Sequence, residues 1–350
     1  MDKRYEGLDG LRAVAAVAVL FHHIGVVTDE EVMTGGYLAV DFFFLMSGFV
    51  LAAAYERSFA DGLHPLRYVG LRLRRLYPMI ALGAVLGVAA AIAGGWQGEV
   101  WLAAAAQLAL VPFVTASETA FPLNNPQWSL LFELLVNAFH VLIWPWLTLR
   151  RLIALVAALG AALLGVLAVH HNLGVGWGRD NALMGAPRVG FPFFLGVLLF
   201  RIRDRLPAIR APYALILMAL AASLSIPHIE VTASDTVRDA LLVFVVFPLI
   251  LIAAIKTKLS AGWRRIALVG GAMSYPLYAI HYPLLDLAAL VPVAAEWSLI
   301  WNWAVVPIAI VGFAMAVERW CERPVLKRLS RRRVGAADPK TSPSPSRTTQ

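Results

Sequence analysis

Near the N-terminus, Leu8-Asp9-Gly10-Leu11-Arg12 opens an apolar run that closes on Phe21-His22-His23-Ile24. Ionisable groups inside a membrane-length apolar run are costly and mark functional sites by default. Arg12 and His23 stand eleven residues apart, roughly 16 Å along a helix axis and about half the hydrocarbon thickness. The spacing predicts a cation near one membrane face and a titratable base deeper in. His22 competes for the role of base, pointing about 100° away from His23 around the helix; the spacing from Arg12 favours His23. The bland alternative is an arginine snorkelling to the headgroups and a histidine at the opposite interface.

Further polar residues punctuate later apolar runs. Asp41, in Gly36-Tyr37-Leu38-Ala39-Val40-Asp41-Phe42, belongs to the outer part of a second span. The hairpin of spans one and two predicts that it meets His23 at similar depth, where a carboxylate fixes the tautomer and raises the basicity of an imidazole. Ser47-Gly48 has a packing reading, small residues letting helices approach, as well as a direct role for Ser47. Arg72-Leu73-Arg74-Arg75 before Pro78 is either a lipid anchor or a phosphate reader, since guanidinium forks match phosphate oxygens. Glu133 follows Trp128-Ser129 at the opening of a fourth span, and Arg188 and His281 fall at mid to outer depth in later ones. These last residues equally suit a polar network that closes a helix bundle.

The elements that must position these groups are membrane helices. The 350-residue chain is 60% hydrophobic and 15% charged, with mean hydropathy +0.71; soluble domains average about 45–50% apolar and about 25% charged. Apolar runs near 8–27, 36–56, 76–95, 127–148, 152–169, 182–200, 211–227, 237–255, 266–290 and 297–318 predict an all-α polytopic membrane protein of about ten spans. With the N-terminus cytoplasmic, the arginines and lysines from Lys3 to Arg265 fall almost entirely inside, together with the basic C-terminus. Asp29, Glu30, Glu31, Glu99, Glu118, Glu230, Asp235 and Glu296 fall outside with Arg179 and Arg238. That asymmetry predicts N-in, C-in topology, and it accounts for the net charge of +8 without nucleic acid. His64 to Leu76 reads as a separate interfacial helix on the cytoplasmic surface. Residues 99–114 are too short to span and read as a re-entrant or surface helix. One membrane domain is expected over 1–325 and a disordered cytoplasmic tail over 334–350. Arg12 interrupts what would otherwise be a signal-peptide core. The single Cys321 excludes an intrachain disulfide and a multi-cysteine metal site, and no metal is expected.

Taken in order, Leu8-Asp9-Gly10-Leu11-Arg12 with His23, Asp41 with Ser47-Gly48-Phe49, Arg72-x-x-Arg75 before Pro78, Trp128-Ser129-Leu130 with Glu133, Arg188 before Phe193-Phe194-Leu195-Gly196, and Ser274-Tyr275-Pro276-Leu277-Tyr278-Ala279-Ile280-His281 resemble the acyltransferase 3 family of membrane-bound acyltransferases. The resemblance covers about residues 6–325 and is to the standalone type, without a fused SGNH hydrolase-like domain. It implies acyl-CoA as donor, expected to be acetyl-CoA, with no bound cofactor. The implied acceptor is a hydroxyl of a carbohydrate or glycolipid, and the expected location is the bacterial inner (plasma) membrane. In this reading Arg12, Arg72 and Arg75 dock the CoA phosphates, and His23 removes the acceptor proton with Asp41 or Glu133 orienting or balancing it. Asp9, Ser47, Trp128, Ser129, Arg188 and His281 line or support the pocket. A covalent acyl-enzyme is the second mechanistic option. A proton-coupled transporter is the competing class, although the chain has no repeated halves with matched interrupted spans. A non-catalytic part of a polysaccharide assembly complex is the third.

Overall fold

The computed structural model describes residues 5–96, 98–113, 118–227 and 232–327. Every regular element among them is helical, apart from an isolated bridge between Thr119 and Gly178. Among the described residues, eight stretches are long and apolar enough to cross a membrane: Glu6–Thr28, Thr34–Ala60, Pro65–Ala93, Gln127–Trp146, Leu149–His170, Ala182–Arg201, Asp235–Lys256 and Ser298–Lys327. The chain is therefore built as a polytopic membrane protein.

The first helices are α1 (Glu6–Thr28), α2 (Ala39–Ala60), α3 (Pro65–Ala93), α4 (Val100–Leu108), α5 (Gln127–Ile143), α6 (Leu149–His170) and α7 (Gly185–Arg201). They are followed by α8 (Tyr213–Leu224), α9 (Thr232–Leu241), α10 (Phe247–Lys256) and α11 (Ala261–Ala289). A π-turn at Leu242–Val246 joins α9 to α10. The last rod runs from α12 (Ser298–Ile300) through a π-turn, Trp301–Val305, into α13 (Val306–Val317) and a second π-turn, Glu318–Glu322. Of the segments read as spans, 211–227 contains only the 12-residue α8, about 18 Å long at 1.5 Å per residue. Segment 266–290 lies in α11, which has the length but carries Arg264, Arg265, Ser274, Tyr275 and His281. Neither is among the eight.

The expected interfacial helix is not a separate element. Residues from Pro65 onward form the first turns of α3, a single 29-residue helix with Pro78 inside it. His64 caps its start by accepting from Leu66 N–H at 3.3 Å, with Pro65 as the first helical residue, a position where the missing N–H is not needed. Pro78 removes one intrahelical bond, and packing against α5 and α11 carries the helix through it. Segment 99–114 contains the nine-residue α4, packed on α3 and too short to cross. The tail over 334–350 lies outside the described residues.

Glycines set the helix spacing at the core. A Cβ at Gly48 would collide with the carbonyl oxygen of Phe193, and one at Gly196 with that of Leu45, so α2 and α7 lie backbone against backbone. A Cβ at Gly271 would reach 2.6 Å from the Cβ of Asp9, which holds α1 equally close to α11. Close approach through small residues is how membrane helices gain contact without a hydrophobic driving force between them. These two pairs frame the polar residues described next.

Candidate active site

The polar residues singled out in the sequence are gathered into three groups. The first lines a cavity of about 1120 Å³ that contains Asp9, Arg12, Ser47, Arg72, Arg75, Ser129 and Glu133. Its mouth is at the end of the bundle holding Tyr5, Arg203 and Arg323, and its inner wall is made by Phe43, Ser129 and Tyr278. The Arg12 Nη1 donates to Asp9 Oδ1 at 3.5 Å. Arg72 is 8% exposed and gives its Nη2 to Glu133 Oε1, while its buried Nε has no partner among the described residues. Arg75, one turn further along α3, is exposed at the same cavity. Three guanidinium groups spaced along one cavity can supply donors to a multiply charged anion such as a phosphorylated ligand.

Local structure explains how Arg72 and Glu133 are held. Tyr68, a turn earlier on α3, donates its hydroxyl to Asn137 Oδ1 at 2.5 Å, and Asn137 donates to Glu133 O at 2.7 Å. Each pair is four residues apart on its helix, so the ion pair and this hydrogen-bond pair stack as successive rungs between α3 and α5. Tyr275 on α11 donates to Leu76 O at 2.6 Å and fixes the third wall.

The second group is a pair of imidazoles. His23 Nδ1 lies 2.9 Å from Val19 O and 3.1 Å from His281 Nε2. His281 Nδ1 lies 2.9 Å from Tyr278 O and 3.2 Å from Leu277 O. Carbonyl oxygens only accept, so in two neutral rings each Nδ1 carries its proton and His281 Nε2 accepts from His23. That assignment leaves the Nε2 lone pair of His23 without a protein partner among the described residues, which is the arrangement of a general base. His22 is used differently: its Nδ1 donates to Met33 O at 3.1 Å and its ring lies against Tyr37, tying α1 to the turn that enters α2.

The third group contains Asp41, Arg188 and Trp128. All three side-chain nitrogens of Arg188 are bonded: Nε and Nη2 to Asp41 at 3.1–3.4 Å, Nη2 also to Tyr37 O at 2.8 Å, and Nη1 to Val175 O at 2.6 Å. Trp128 covers the guanidinium, its ring centre 5.1 Å from Cζ. Asp41 is thus not brought to His23, and neither is Glu133. A buried arginine competes for Asp41 more strongly than a neutral imidazole does, because an unpaired buried charge costs several kcal/mol. In place of a carboxylate, His23 has a second imidazole and a carbonyl oxygen to disperse the charge of a bound proton.

Sequence reading named Ser129 but gave no role to Tyr278, which completes the inner wall of the cavity. Tyr278 lies three residues before His281, on the same face of α11, and its hydroxyl is 2.6 Å from Ser129 Oγ. It also missed Glu318, Glu322 and Arg323, which line the cavity mouth. The signal was a pair of glutamates in a terminal segment otherwise rich in arginine and lysine.

A cavity lined by charged side chains, inside a bundle of membrane-length apolar helices, belongs to a membrane protein, and comparison with known proteins assigns its class. The acyltransferase 3 model, described as an acyltransferase domain, matches residues 5–319; the chain belongs to this family and is an acyltransferase. It is 33% identical over 184 residues to Protein 2 in picA locus of Rhizobium radiobacter, covering 47% of this chain and 95% of that protein. It is 35% identical over 78 residues to the O-acetyltransferase OatA of Staphylococcus aureus, covering 21% of this chain and 12% of that much longer protein. No solved structure matches it.

Proposed function

We propose that this acyltransferase is an O-acetyltransferase that takes an acyl group from acyl-CoA at the cytoplasmic face and delivers it to a hydroxyl of a carbohydrate or glycolipid. The observation that carries the reading is the convergence of Arg12, Arg72 and Arg75 on one large cavity, with the buried Nε of Arg72 unpartnered. The mouth of that cavity lies at the end where the basic residues concentrate, the cytoplasmic end under the positive-inside rule. α8 and α11 complete ten spans, with the N- and C-termini inside and the membrane the bacterial inner one. The name of the staphylococcal relative supports oxygen as the acceptor atom and acetyl as the group.

In the proposed reaction the phosphates of CoA bind the three arginines and the pantetheine arm runs along the cavity toward Ser129 and Tyr278. The acceptor hydroxyl approaches His23 from the opposite side of the membrane. Its oxygen attacks the thioester carbonyl as His23 Nε2 takes its proton, the C–S bond breaks, and the proton is returned to the leaving thiolate. Protonated His23 donates from Nδ1 to Val19 O and His281 Nε2, which spread the charge. Asp41 serves by holding Arg188, a positioning role. The experiment is incubation of the purified protein in nanodiscs with radiolabelled acetyl-CoA and envelope glycan. Transfer of label that depends on His23 is expected. Wild-type activity in a folded His23→Ala protein would overturn the assignment of the base.

A further inference from the structure

The cavity stops short of the histidines. Phe43, Ser129 and Tyr278 line its inner end, whereas neither His23 nor His281 lines it. The ring of Tyr278 fills the interval: it is 5.7 Å from the ring of Phe43 and 5.9 Å from that of His281. Its backbone oxygen accepts from His281 Nδ1 at 2.9 Å. The ring is held by its hydroxyl. Ser129 Oγ lies 2.6 Å from the Tyr278 hydroxyl, and both hydroxyls reach the same acceptor, Pro126 O, at 2.9 Å from Ser129 and 3.4 Å from Tyr278. Tyr278 is 7% exposed and Ser129 4%, so water does not compete for this bond.

We infer that Tyr278, latched to Ser129 and packed on Phe43, is the partition between the donor cavity and the histidine pair, and that it swings aside to admit the acyl thioester. The assignment rests on the functional reading above for what passes the partition, and on geometry alone for the partition itself. A closed ring keeps the thioester in the donor cavity from meeting the base. Loss of one buried hydrogen bond shifts the closed-to-open balance by about fivefold. Neither residue is assigned to the chemistry: each acts by positioning, and the two act through the same bond.

The test uses the full chain in nanodiscs, with Tyr278→Phe, Ser129→Ala and the double variant. Two rates are read. One is carbethoxylation of His281 by diethyl pyrocarbonate, located by peptide mass spectrometry. The other is hydrolysis of acetyl-CoA without acceptor, in which water attacks the carbonyl, the C–S bond breaks, and acetate and CoA thiol are released. Tyr278→Phe, which loses both hydroxyl contacts, is expected to raise both rates about fivefold, Ser129→Ala, which leaves the contact to Pro126 O, by no more than that, and the double variant no further than Tyr278→Phe. Unchanged modification of His281 in both single variants would overturn the partition. Accelerated modification with no acetyl-CoA chemistry in any protein, wild type included, would instead remove the functional reading and leave the partition standing.

Discussion

Two of the arginine–carboxylate pairs inside the bundle are built to opposite specifications. Arg188 and Asp41 are 2% and 0% exposed at their side chains, and every nitrogen of the guanidinium is bonded within the protein. Arg72 and Glu133 keep 10% and 19% exposure, face a large cavity, and leave the Arg72 Nε unused. The first pair is complete in itself and holds helices together. The second has capacity left for a ligand. Inside a membrane protein a buried charge therefore does not by itself mark a binding site, since it can be fully satisfied by the protein.

The largest effect should come from breaking the saturated pair. Arg188→Leu strands the Asp41 charge in a closed site, and removal of one partner of such a pair costs about 3–5 kcal/mol. Detergent-solubilised protein should lose most of its monodisperse fraction and its melting transition should fall sharply. Replacing both partners, Asp41→Leu with Arg188→Met, should recover much of that loss. Equal instability of the single and double variants would show that Arg188 acts through its contacts to Tyr37, Val175 and Trp128 rather than through charge pairing.

At the open pair the same class of change should spare the fold and alter donor use. A charge-assisted hydrogen bond contributes about 1.5–3 kcal/mol, so Arg72→Gln should raise the KM for acetyl-CoA roughly 10- to 100-fold. Its melting temperature should change far less than that of Arg188→Leu. Arg72→Lys keeps the charge and loses the fork, and should fall between wild type and Arg72→Gln. If Arg72→Gln unfolds the protein as Arg188→Leu does, the contrast between the pairs is wrong.

Smaller effects sharpen the boundary. Arg75→Ala, at an exposed position on the same cavity, should raise the donor KM about tenfold or less, in line with a solvent-screened contact. Arg150→Ala, on an exposed part of α6 outside the cavity, should leave it within about twofold, because isolated surface charges contribute little. Equal effects at both positions would mean that bulk membrane electrostatics, not the cavity, concentrates the donor.

Depth was legible in the sequence, and azimuth was not. Apolar run length and charge asymmetry placed Arg12, Arg72 and Arg75 at one end and His23 far from it, since both signals depend only on distance along a helix axis. Which side of a helix meets which neighbour depends on packing. Asp41 and His23 were matched by depth across a hairpin, yet Asp41 turns to α7, where Gly48 and Gly196 bring the backbones together. The true neighbour of His23 lies 258 residues away in sequence, beyond the reach of local pattern. The continuity of α3 was hidden for a related reason. A basic amphipathic stretch followed by proline has the signature of an interfacial helix that ends, and only the walls supplied by α5 and α11 let it continue.

The role proposed for His23 is chemistry on a donor held elsewhere, by the arginines. Its most direct measurement is a paired one on wild type and His23→Ala in nanodiscs: binding of labelled acetyl-CoA, and transfer of that label to envelope glycan. His23→Ala is expected to bind acetyl-CoA as wild type does, while transfer falls by about 10²–10⁴-fold, the range of a lost general base. Transfer at the wild-type rate, or loss of donor binding with transfer efficiency per bound donor unchanged, would contradict it.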